Sequence, residues 1–132
     1  MPEFFIVLHR KVPGVPEEVP GKEIAKAEIF LARLTRKLGV VSLTDFKSQS
    51  PAVTDALAGI NGIDLSDVKL AKETWFAPLQ GLQTVTALRE HLRSHPATLS
   101  NTREVLKELD QWNEVLSLAA KEGVPWHLLV AI

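Results

Sequence analysis

The chain has 132 residues, of which 45% are apolar and 23% charged, with a formal net charge of −1. That composition excludes a mainly disordered chain and a fibrous repeat. The length suits a single domain, 1–132, that buries roughly two-thirds of its extended-chain surface without staples. Cysteine is absent, which removes disulfides, zinc–thiolate centres, iron–sulfur clusters and a thiol nucleophile, and fits a reducing cytoplasm.

Residues 3–9, EFFIVLH, open the chain as a strand. Phe4, Ile6 and Leu8 point one way and Phe5, Val7 and His9 the other, and a strand apolar on both sides belongs inside a sheet. The run is too short to span a bilayer, and Glu3 stands where a signal peptide carries positive charge, so neither membrane nor leader is expected. Pro13, Pro16 and Pro20 then make 12–21 an extended loop without regular structure. From Lys22 to Leu38 the stripe Ile24, Ala27, Leu31, Leu34, Leu38 reads as one helix, closed by Gly39.

Shorter pieces follow. Ser42 with Asp45 is a loose capping box ahead of one or two helical turns over 43–48. Ser50-Pro51 starts and Gly59 ends a short helix over 51–58, and Asn61-Gly62 marks a turn. Residues 68–76, VKLAKETWF, form a more polar strand, expected near a sheet edge. Pro78 opens a helix with the stripe Leu79, Leu82, Val85, Leu88, Leu92, ended before Pro96. Ser100 or Asn101 caps the last helix, whose inner face is Val105, Leu109, Trp112, Leu116 and Ala119. Lys107, Glu108, Asp110, Gln111 and Glu114 are expected in solvent, and Gly123 with Pro125 stops the helix. The closing segment 125–132, PWHLLVAI, is again apolar on both parities.

The expected fold class is therefore α+β. A small three- or four-stranded sheet has its first and last strands central, and three main helices, including an αα-hairpin, pack on it. Two-sided strands imply that helices cover both sheet faces, or that one face is buried against a second copy of the chain.

Templates for chemistry mostly fail. Gly14 to Lys22 has six residues between its glycines and no following hydroxyl, so it is not a phosphate loop. Pro13-x-x-Pro16 reads as a stiff connection more than a polyproline ligand. Asp64 and Asp67 lack the rest of a calcium loop, no serine sits in a nucleophile elbow, and no dinucleotide fingerprint follows the first strand. His91 and His95 share a helix face but have no third ligand in their motif, and cations suit that helix end. No cofactor and no metal is expected. Residues 1–50 carry eight Lys/Arg against six Asp/Glu, and 51–132 seven against ten. Without a basic stripe or a tyrosine, nucleic acid is not the expected partner.

His9 and His127, each on an expected central strand, are the alternative polar site. With a carboxylate among Asp45, Asp55, Asp64, Asp67 or Glu73 they would suit a small-molecule binding protein or minimal enzyme. Trp75 and Phe76 point to opposite sides of a strand, so one of them is a candidate interface anchor. The run WFAPLQGLQTVTALREHL (75–92) resembles small bacterial proteins of unassigned function and implies no site residue. The first expectation is a non-enzymatic accessory or regulatory module that contacts a protein partner or a second copy as a homodimer.

Overall fold

A computed structural model describes residues 3–16, 18–48 and 74–131 of the chain. Strand β1, Glu3–Leu8, lies at the centre of a three-stranded antiparallel sheet, between β2, Glu18–Pro20, and β3, Trp126–Ala131. The register pairs Phe4 with Val130, Ile6 with Leu128 and Leu8 with Trp126. Alternation then puts these six side chains on one sheet face, together with Val19 opposite Ile6.

β2 corrects the expectation for the proline-rich loop, where no regular structure was foreseen. Proline is compatible with an edge strand, because its missing N–H is not needed on the outer side. Phe5 faces Pro20 in register, and the Gly21 N–H donates to the Phe4 carbonyl at 2.7 Å. The expected strand at 68–76 lies mostly outside the described residues. What is described is a single antiparallel bridge from Phe76 to Trp126, on the outer edge of β3, beside a parallel bridge from Lys47 to Leu128. Ser48 and Thr74 meet there, with the Thr74 N–H donating to Ser48 Oγ at 2.7 Å. The helix expected at 51–58 and the Asn61-Gly62 turn fall outside the described residues.

The helix expected over 22–38 is two helices, α1 (Lys22–Lys26) and α2 (Glu28–Leu38), broken at Ala27 with φ −95° and ψ 11°. Ile24, Ala27, Leu31 and Leu34 are buried, whereas Leu38 at the last turn is 36% exposed, so the stripe runs out one turn early. A 3-10 turn, Leu43–Phe46, follows. Ser42 makes no cap there; its hydroxyl meets Thr44 Oγ1 at 3.3 Å, so the expected capping box is not formed.

Helices α3 (Pro78–Ser94) and α4 (Thr102–Glu122) form the hairpin, joined through a 3-10 turn at Pro96–Thr98. Arg89 and Arg93 both reach Asp110 across it, at 2.7 and 3.0 Å. The inner face of α4 is as read, with Val105, Leu109, Trp112, Leu116 and Ala119 buried. On α3 the stripe is rotated at its start: Leu79 is 65% exposed and Gly81 is buried. Trp126 causes this, since its ring lies where a side chain at position 81 would be. Gly39 and Gly123, with φ of 73° and 67°, end α2 and α4 in the left-handed conformation that other residues resist. Asn101 precedes α4 but makes no side-chain cap; its amide instead donates to Glu23 Oε2 at 3.2 Å.

One hydrophobic cluster collects the buried faces of all four helices. From the sheet it takes Phe4, Ile6, Val19, Trp126 and Leu128, which are the residues of a single face.

Candidate functional site

The opposite face of the sheet is where the unexplained side chains gather. Period-two alternation assigns it Phe5, Val7, His127 and Leu129, in two rows that pair Phe5 with Leu129 and Val7 with His127. Phe5, Val7 and Leu129 are half-buried and stand outside the helical cluster. Helices cover one face only among the described residues, so the first of the two coverings implied by the sequence is not met by them.

Trp75 and Phe76 divide between these faces. Phe76 packs on the core, edge-on to Phe46 with ring centroids 5.2 Å apart. Trp75, half-buried, turns the other way and stacks on His127 at 4.0 Å with 18° between the planes. His9, just beyond β1, meets the same indole edge-on at 4.8 Å. Its N–H donates to the Pro125 carbonyl at 2.9 Å, which extends the β1–β3 ladder by one step and fixes the ring beside Trp75. The structure thus brings His9, His127 and Trp75 into one aromatic row and places Phe76 apart from them.

The two histidines differ in access. His127 is fully buried, with Trp75 stacked on its ring and Nδ1 3.1 Å from the Thr74 carbonyl oxygen. His9 is exposed and lies in a shallow groove of about 320 Å³ with Arg10, Lys11, Val12, Val15 and Pro16. None of the described residues lining that groove is a carboxylate. Of the acids considered as partners for a histidine, Asp45 is exposed on its 3-10 turn. Asp55, Asp64, Asp67 and Glu73 lie outside the described residues.

His91 and His95 stack on each other at 4.5 Å, with His95 Nδ1 3.1 Å from the His91 carbonyl oxygen. Burial, then the nearby His95 and Lys37, holds the His91 imidazole below its ordinary pKa. Parallel rings do not aim their in-plane lone pairs at one point, and no group of three metal-ligating side chains occurs among the described residues. No described helix is long and apolar enough to cross a membrane.

Sequence reading named Trp75 and both histidines but not Phe5, Val7 and Leu129 as a shared surface. The signal was the two-sided apolar pattern; what it lacked was which parity the helices would take. Compared with protein-family models, curated proteins and solved structures, the chain matches none.

Proposed function

We propose that the chain is a cytoplasmic protein-contact module whose working surface is the second face of its sheet. The observation that carries this reading is the set Phe5, Val7, Leu129 and Trp75, four large apolar side chains on one face, none of them in the helical cluster. Among the described residues no helix covers this face, and apolar patches with aromatic anchors are the usual mark of contact surfaces. The absence of cysteine fits the cytoplasm. Catalysis by His9 or His127 has weaker support, because one ring is covered by Trp75 and the other lies among cations and apolar groups.

Because the chain has no cysteine of its own, single introduced thiols report the accessibility of each face. Val7→Cys in dilute protein is expected to react with a maleimide within about tenfold of the unfolded chain, while Ile6→Cys, on the covered face, stays protected. Equal protection of both positions at every dilution would mean that the second face is internal, and the reading would fall.

A further inference from the structure

We infer that the outer face of α2 is a docking site for an acidic helical segment of another protein, held by Arg33 and Arg36 and anchored by an apolar side chain beside Ile29. The site belongs to the helical layer and does not depend on the reading of the second sheet face.

Charge and exposure along α2 carry it. Residues 22–38 hold five basic and two acidic residues, in a chain whose net charge is −1. From Lys26 to Leu38 every exposed position is a cation or an aliphatic residue: Lys26, Ile29, Arg33, Arg36, Lys37 and Leu38. Glu28, the one acid of α2, is half-buried. At 3.6 residues per turn Ile29, Arg33 and Arg36 fall within about 60° of one another, so they make one stripe two turns long. Other arginines of the chain are used internally: Arg89 and Arg93 clamp Asp110, and Arg10 donates to the Glu122 carbonyl. Among the described residues Arg33, Arg36 and Lys37 make no ion pair and no side-chain hydrogen bond. The helix dipole gives a reason for cations in the last turn, Arg36 and Lys37. It gives none for Arg33, nor for Ile29, which is 72% exposed in the first turn.

A groove of about 420 Å³ runs beside the stripe, between α2 and the turn that joins α3 to α4. Phe30 and Leu99, both half-buried and packed on the core, give it an apolar wall. Lys26 and Arg33 line it against one described carboxylate, Glu28. A groove of this size takes one or two apolar side chains. A helix laid along α2 puts its apolar anchor there and sets carboxylates one and two turns away over Arg33 and Arg36, which is the spacing that helix-in-groove recognition reads. A bilayer fits this face less well. Interfacial binding needs a broad apolar stripe, whereas here Ile29 alone projects fully and Phe30 and Leu99 are recessed, within reach of a single side chain and not of a flat lipid surface.

Fluorescence anisotropy of the full chain with a labelled peptide tests the site. The probe is a Leu/Ala/Glu peptide of about four helical turns, with leucines on one face and glutamates flanking them. A second probe carries glutamine at each glutamate. At low salt the glutamate peptide is expected to bind at least about tenfold more tightly than the glutamine peptide. Arg33→Glu and Ile29→Ser, both at exposed positions, are each expected to weaken binding about tenfold with the melting temperature little changed. Arg36→Gln, a milder change in charge, is expected to weaken it in the same direction by a smaller factor. Lys121→Glu, an equal charge reversal in the last turn of α4, is expected to leave affinity within about twofold, as a distant exposed charge does. No binding of the glutamate peptide at concentrations up to about 1 mM would overturn the site. Equal affinity for the glutamine peptide, or an equal loss in Arg33→Glu and Lys121→Glu, would overturn it too. Sedimentation with phosphatidylcholine–phosphatidylserine vesicles decides the competing occupant. The chain is expected to stay in the supernatant; pelleting that Arg33→Glu abolishes would make the occupant a membrane and overturn the peptide.

Discussion

The indole of Trp112 lies so close over Gly21 that a Cβ at position 21 would be 2.3 Å from Trp112 Cζ2. The same ring donates from Nε1 to the Pro20 carbonyl at 3.1 Å. α4 thus grips the junction of β2 and α1 by packing and by a hydrogen bond at once. Gly21→Ala leaves neither the ring nor the backbone room to move without loss of that bond. The expected destabilisation is about 1–3 kcal/mol, the usual range for overpacking a filled interior, measured as a lower urea midpoint at unchanged slope. An alanine variant as stable as the original would show that the ring can step aside.

Trp126 repeats the arrangement on α3. A Cβ at Gly81 would be 2.4 Å from its Cζ2, and its Nε1 donates to the Ala77 carbonyl at 3.3 Å. Helix propensity alone favours Gly81→Ala by about 1 kcal/mol, and packing opposes it. Packing is expected to win, lowering the melting temperature. In a Trp126→Phe background, where the outer part of the indole is gone, the same substitution is expected to become neutral or stabilising. That reversal is the readout of a double-mutant cycle; a Gly81→Ala effect of the same size in both backgrounds would remove Trp126 as its cause.

One turn before Trp112, Glu108 accepts the Ile24 N–H at 2.9 Å. Gly21 has no side chain with which to cap α1, and the Trp112 ring prevents one from being added, so a carboxylate from another helix satisfies the free amide. Glu108→Ala is expected to cost about 1 kcal/mol, as loss of a cap does, and to speed amide exchange at Ile24 more than within α4. Glu108→Gln, which keeps an acceptor, is expected to recover part of the loss. Unchanged exchange at Ile24 in the alanine variant would deny the cap.

The sequence is most legible where one residue type has one use. Gly39 and Gly123 mark helix ends because few other residues adopt their φ, and the inner face of α4 follows from spacing alone. The misreadings share a physical cause: long-range packing overrides a local pattern. Leu79 fits its stripe by periodicity yet faces solvent, because Trp126, 47 positions further along the chain, occupies that side of α3. Glu108 looks solvated beside Lys107 and Asp110, yet its partner is an amide 84 residues away. For the candidate site, the parity of β1 was plain, whereas the stacking of Trp75 on His127 depends on the chain returning to the edge of β3 at Thr74.

His91 gives the fold a pH dependence whose sign follows from its surroundings. Burial first, then His95 and Lys37, disfavour its protonated form in the folded state. The unfolded chain consequently binds the proton more readily, at the ordinary histidine pKa of about 6.5. Above that value His91 is neutral in both states and contributes no pH dependence. As pH falls through it, the unfolded state gains a proton that the folded state refuses, and stability drops until the folded pKa is passed. Stability measured by urea unfolding is therefore expected to decline from pH 7.5 to pH 5.5, and His91→Gln is expected to flatten part of that decline. An NMR titration of the ring should place its midpoint below that of a free histidine. A midpoint at or above the free value, or a slope unchanged by the glutamine variant, would show that the stacked pair does not resist protonation.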